Sequence, residues 1–134
     1  HFIKASFISW SSKRRVSVAI STAESEYVAA GSACAQVLWI KHQLIDYGFN
    51  VKNVPIYCDN TSAISLSKNP ILHSRTKHIE IRHHFLRDHC LKQDICLKFV
   101  STQDQLADIL TKQLKDDTYN DIKMRLGMCD LNDL

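Results

Sequence analysis

Ser21-Thr22-Ala23-Glu24 opens a segment whose pattern only a long helix satisfies. A Ser followed three residues later by Glu is a capping box: the hydroxyl accepts from one orphan amide and the carboxylate reaches back to another. Behind it, Glu26, Ala30, Ala33, Val37, Ile40 and Leu44 fall at alternating spacings of four and three, which puts them on one face. Gly48 stands where a left-handed glycine closes a helix. The spacing predicts a helix over residues 22–47. A helix of that length must bury its apolar stripe against another layer.

The flanking sequence supplies that layer. Phe7, Ile8 and Trp10 form an apolar run, Ser11–Arg15 is polar, and Val16, Val18 and Ile20 alternate with other residues. This predicts two strands around a turn. Val54-Pro55-Ile56-Tyr57-Cys58 reads as a short buried strand ending at Asp59, and Ile95–Val100 as another. Residues 60–67 read as a short helix and 68–73 as a loop around Pro70. Residues 75–92 read as a helix with Ile79, His83, Leu86 and Cys90 on one face. Further helices are expected over 103–114 and 117–126. Strands first, then helices alternating with strands, indicate an α/β layered domain. The expected division is a domain over residues 1–115 and a C-terminal helical tail over 116–134.

The chain has 134 residues, 45% of them hydrophobic and 23% charged, which suits one globular domain. No apolar run is long enough to span a bilayer, so no membrane partner is expected. The start, His1-Phe2-Ile3-Lys4, has no initiator Met and does not read as a signal peptide. It reads as the middle of something longer. Five cysteines without C-x-x-C spacing fit a reduced, intracellular protein. The net charge of +3 is unevenly spread. Residues 1–15 carry Lys4, Lys13, Arg14 and Arg15 with no acid. Residues 68–92 carry six Lys or Arg against Glu80 and Asp88. Two basic stretches suit an anionic partner such as nucleic acid, and equally a solvated charged face.

Three acids stand where an α/β nuclease would use them. Glu26 lies in the first turn of the long helix, Asp59 ends a strand, and Asp108 lies near the start of a helix after the last strand. Reactive groups in open α/β sheets gather at the carboxyl ends of strands and the adjoining helix starts. Hard oxygen ligands from separate elements suit Mg²⁺, and two such ions can drive phosphodiester cleavage. Each acid also has a plainer reading. Asp59 could N-cap the next helix, Glu26 could favour a positive helix end, and Asp108 could be solvated.

Four stretches narrow these alternatives. They are Ile8-Ser9-Trp10-Ser11-Ser12-Lys13 with Ser21–Ala30, then Ile56-Tyr57-Cys58-Asp59-Asn60-Thr61-Ser62-Ala63-Ile64, then His73–Phe85, then Gln105-Leu106-Ala107-Asp108-Ile109-Leu110-Thr111-Lys112 on to Leu126-Gly127. In this order they resemble the ribonuclease H region of copia-type retrotransposon Pol polyproteins. The resemblance implies an RNase H-like fold, a mixed β-sheet flanked by helices. It also implies cleavage of the RNA strand of RNA–DNA hybrids by four carboxylates and two Mg²⁺ (or Mn²⁺) ions. The second family carboxylate falls on Glu26, through Glu26-Tyr27-Val28-Ala29, with Glu24 left to cap; a swap of the two stays open. The third falls on Asp59 and the fourth on Asp108. The first family carboxylate lies on a strand upstream of Ile8, and no acid precedes Glu24. The resemblance therefore implies a domain lacking its first strand and inactive by itself. It further implies a reverse transcriptase domain in the same polyprotein and an intracellular place, in a cytoplasmic virus-like particle or the nucleus.

Around these acids, Arg75, Lys77 and Arg82 are candidates for phosphate contacts, or for capping and solubilising a helix. Asn60 and Ser62 have donors and acceptors suited to a 2′-hydroxyl, and equally to capping. Two other functions remain open. One is a catalytically dead remnant that only folds or binds nucleic acid. The other is a zinc-binding interaction module built from His78, His83, His84, His89, Cys90 and Cys96, although no tight Cys knuckle is present.

Overall fold

A computed structural model describes residues 1–3, 6–10, 21–68 and 77–129, with the side chains of residues 77–83 outside that description. In chain order the elements are β1 (Phe2–Ile3), β2 (Ser6–Phe7), α1 (Thr22–Asp46), β3 (Val54–Cys58), α2 (Thr61–Lys68), α3 (Lys77–Leu91), β4 (Ile95–Phe99) and α4 (Asp116–Arg125). Two 3-10 segments, Thr102–Asp104 and Leu106–Leu110, lie between β4 and α4. The chain divides into two compact units, Ser17–Val100 and the paired segments His1–Val16 with Ser101–Leu134.

In the unit Ser17–Val100, helix α1 starts where the capping box places it. Ser21 is the N-cap, and its hydroxyl accepts from the Glu24 amide at 3.2 Å. The helix closes on Gly48 at φ +85°. The Gly48 amide donates to the Ile45 carbonyl and the Phe49 amide to the Leu44 carbonyl. That pair of bonds is a Schellman cap, which needs the left-handed backbone that glycine adopts without strain.

Strands β3 and β4 run parallel, with Ile56 opposite Leu97 and Cys58 opposite Phe99. Alternation along β3 buries Ile56 and Cys58 on one face and exposes Pro55 and Tyr57 on the other. The buried face meets Tyr27, Ala30, Cys34 and Leu38 of α1, Ala63 of α2 and Leu86 of α3 in one core. Burial pushes the Tyr27 hydroxyl and the Cys34 thiol up to about 12 each, so both stay protonated at neutral pH.

The unit formed by the chain's two ends holds the β1–β2 pair, which is antiparallel and sets Phe2 opposite Phe7. Their rings stack at a tilt, 5.4 Å between centroids. In the same unit α4 packs on the 3-10 segment Leu106–Leu110, with Ile122 and Leu126 buried. Arg125 donates to the Asp104 carboxylate at 3.1 Å and ties α4 to the first 3-10 segment. Gly127, at φ +71°, closes α4 with a second Schellman cap, through Gly127 to Met124 and Met128 to Lys123.

The class is therefore mixed α/β, with small sheets flanked by helices, consistent with an RNase H-like arrangement. Among the described residues the strands form one antiparallel and one parallel pair. Several local expectations change. Ile8 to Trp10 are not in a strand. The expected strand over Val16–Ile20 lies outside the described residues, as do residues 69–73 of the expected loop. The helix expected over 103–114 is instead the two 3-10 segments. The Ser101 hydroxyl accepts from the Asp104 amide, and Gln105 then takes an extended backbone at ψ 97°. A Ser that caps locally and an extended residue four positions later leave no room for a continuous helix. The buried face of α1 also turns: Tyr27, Ala30, Gly31, Cys34, Leu38 and Lys41 are buried, whereas Glu26, Ala33, Val37, Ile40 and Leu44 are half-buried.

Candidate active site

Asp59 follows the last residue of β3, and Glu26 lies in the first turn of α1. Both are half-buried. The two acids meet electrostatically at Cys58. Burial raises the Cys58 thiol most; its hydrogen bond to the Asn60 carbonyl lowers it, and the charges of Glu26 and Asp59 raise it again. A strand end and a helix start of the unit Ser17–Val100 thus each carry a carboxylate whose charge reaches the Cys58 thiol.

The next residue resolves one alternative. Asn60, not Asp59, caps α2: its Oδ1 accepts from the Ala63 amide at 3.0 Å, and its carbonyl accepts from the Ile64 amide. Capping thus explains Asn60 without any ligand. Ser62 is exposed in the first turn of α2. Arg75 lies outside the described residues. Lys77 and Arg82 lie on α3, but their side chains are outside the description.

Asp108 belongs to the other unit, in the 3-10 segment Leu106–Leu110. It is 7% exposed, the one acid among the buried described residues. The Lys112 Nζ lies 2.9 Å from each of its carboxylate oxygens. Asp108 is not the solvated acid that one reading allowed. A spacing of four signals an ion pair only on an α-helical turn, so the 3-10 winding of this segment kept the pair out of sequence reasoning.

A second polar cluster escaped sequence reasoning. Lys41, 8% exposed on α1, donates to Asp94 Oδ1 at 2.7 Å, and His89 Nδ1 lies 2.8 Å from Asp94 Oδ2. Hydrogen bonds from Lys41 and then His89 hold the Asp94 carboxyl below the usual range. Lys41 and Asp94 are 53 residues apart, and no local pattern links them. Of the residues considered for zinc, His89 is engaged with Asp94, Cys90 packs against the core, and the His78 and His83 side chains lie outside the description. Among the described residues, no three His, Cys, Asp or Glu side chains form a metal-binding group. No described helix is long and apolar enough to cross a membrane.

No family model and no solved structure matches the chain. Curated relatives do. The chain is 40% identical over 121 residues to the "Retrovirus-related Pol polyprotein from transposon TNT 1-94" of Nicotiana tabacum. It is 39% identical over 122 residues to the corresponding polyprotein from transposon RE1 of Arabidopsis thaliana, and 38% identical over 122 residues to that from RE2. Each match covers 90% of this chain. The chain is homologous to a region of copia-type retrotransposon Pol polyproteins. This Pol region spans 9% of the first relative and 8% of each of the other two.

Proposed function

We propose that this Pol region is a ribonuclease H domain that cuts the RNA strand of RNA–DNA hybrids during reverse transcription. The observation that carries the reading is the placement of Asp59 at the end of β3 and Glu26 in the first turn of α1, the charges of both reaching the Cys58 thiol. In this reading Glu26, Asp59 and Asp108 are the carboxylates that would hold Mg²⁺, although among the described residues no three such side chains are gathered into a metal-binding group. All three offer the hard anionic oxygens that Mg²⁺ takes, and in the metal-free chain the Lys112 ammonium balances the Asp108 charge. When bound, a pair of such ions would activate a water and stabilise the leaving oxygen. The chain's own share is to hold Asp59 at a strand end and Glu26 in the first turn of a capped helix within one unit. Hybrid phosphates would be met by Arg75, Lys77 and Arg82, and the 2′-hydroxyl by Asn60 or Ser62. The partner domain in this reading is the reverse transcriptase of the same polyprotein.

The test is cleavage of a labelled RNA strand within an RNA–DNA hybrid, with single-stranded RNA as control. The 134 residues alone, with three of the family's four carboxylates, are expected to cleave negligibly. Joined to a preceding strand that carries an Asp, the chain should release fragments in a Mg²⁺-dependent manner, and only from the hybrid. Equal cleavage of hybrid and single-stranded RNA would contradict the reading.

A further inference from the structure

Phe99 breaks the burial pattern of its own strand. Alternation along β4 puts Ile95, Leu97 and Phe99 on the side that meets the core. Ile95 is buried and Leu97 packs against the core, yet Phe99 is 57% exposed. Its place in the sheet accounts for the difference. Phe99 is the last residue of β4 and pairs with Cys58, the residue before Asp59. The Val100 amide donates to the Cys58 carbonyl at 3.1 Å, so the strands stay paired to that point. Neighbouring strands lie about 4.8 Å apart, which puts the Phe99 backbone one strand spacing from the end of β3. A large, uncharged ring thus stands open to water at the end of the sheet that leads into Asp59.

We infer that Phe99 is a nucleotide-binding residue, whose ring packs on the flat, uncharged face of a nucleotide and seats the nucleic acid beside Asp59. The inference rests on the proposed ribonuclease H function. Asp59 and the nearby charge of Glu26 repel phosphates, so an attractive contact at this end of the sheet has to be made with an uncharged part of the nucleotide. An aromatic ring meets that need: it stacks on any base and tolerates any sequence. Tyr57 supplies an internal comparison. It is just as exposed, at 56%, but it lies on the opposite face of the same sheet, away from Cys58 and Phe99. Only the ring on the Cys58 face is in place to serve the site.

The test is equilibrium binding of the full 134-residue chain to a fluorescently labelled RNA–DNA hybrid. Anisotropy is followed over a range of salt without divalent cation, so that nothing is cut. Phe99→Ala should weaken binding about five- to tenfold, the scale of one lost stacking contact. The slope of affinity against salt should not change, because no phosphate contact is lost. Phe99→Tyr keeps the ring and should bind like the unaltered chain, and so should Tyr57→Ala. Denaturation midpoints should stay in place, since both rings are exposed. Unchanged affinity in Phe99→Ala, a loss that alters the salt slope, or an equal loss in Tyr57→Ala would overturn the role of Phe99 and leave the ribonuclease H reading standing. If the unaltered chain does not bind the hybrid, that reading fails and this inference with it.

Discussion

Lys41 is a residue that a pattern of polar and apolar letters misplaces. Spacing alone gives α1 a stripe through Glu26, Ala30, Ala33, Val37, Ile40 and Leu44, yet the buried line shares only Ala30 with it and runs through Tyr27, Cys34, Leu38 and Lys41. The helix is rich in Ala, so the apolar direction is weakly set. Tyr27 and Leu38 lie on the buried side while Trp39 stays exposed, and a lysine can bury its stem when its ammonium finds a carboxylate. Asp94 supplies that carboxylate, and removing it would leave the Lys41 charge buried and unpaired. Asp94→Asn should therefore lower stability at neutral pH by about 1–3 kcal/mol, the range for hydrogen bonds to charged groups. The sign with pH follows from the depressed Asp94 carboxyl. A group with a lowered folded value contributes above its unfolded value and loses that contribution as pH falls through the folded one. The stability gap between the two proteins should be full at pH 6–7 and shrink below about pH 4. Denaturation midpoints measured across pH check this; a gap that grows in acid would mean that Asp94 is not held by Lys41 and His89.

Element boundaries were legible where a local chemical signal marks them. Ser21 and Glu24 fix the start of α1, Gly48 its end, and Asn60 the start of α2; each acts through a backbone bond a few residues away. The end of α3 shows the limit of such signals. The Gln93 amide donates to the Cys90 carbonyl and the Asp94 amide to the His89 carbonyl, the same Schellman pattern as at Gly48. Here Gln93 takes the left-handed position at φ +59°, without the glycine that would announce it. The cap persists because it aims Asp94 at Lys41, and because the Gln93 carbonyl accepts from the Asn53 amide ahead of β3. A left-handed residue other than Gly, Asn or Asp costs about 1–2 kcal/mol. Gln93→Gly relieves that strain but loosens the unfolded chain, so a net gain of about 0.5–1 kcal/mol is expected. The readout is a higher urea midpoint at unchanged slope. A lower midpoint would show that the Gln93 side chain contributes more than its backbone strain costs. The missed helix over 103–114 has a similar origin: Ser101 and Asp104 bond each other locally, a competition that periodicity does not register.

At the scale of the molecule, the α/β alternation of elements was readable, because period-2 and helical patterns alternate along the chain, whereas the parallel pairing of β3 with β4 was not. The candidate site was readable only in part. Asp59 and Glu26 stand at a strand end and a helix start, as the sequence pattern places them, and the charges of both act on the Cys58 thiol. The cation facing Asp108 needed coordinates, because a spacing of four predicts an ion pair only where the backbone winds through four residues, and this segment is mainly 3-10. The homology places these acids in a Pol region, and the proposed chemistry turns most sharply on Asp59. The decisive measurement is Asp59→Asn in the chain joined to a preceding strand that carries an Asp, assayed on a labelled RNA–DNA hybrid in Mg²⁺. Asn keeps the size and hydrogen bonding of Asp but removes the ligand charge, and Asn60 still caps α2. The account predicts an unchanged denaturation midpoint and a loss of cleavage of about 100-fold or more, the scale seen when one preorganised electrostatic group is removed. Cleavage that persists at full rate after Asp59→Asn would place the chemistry elsewhere and contradict the account.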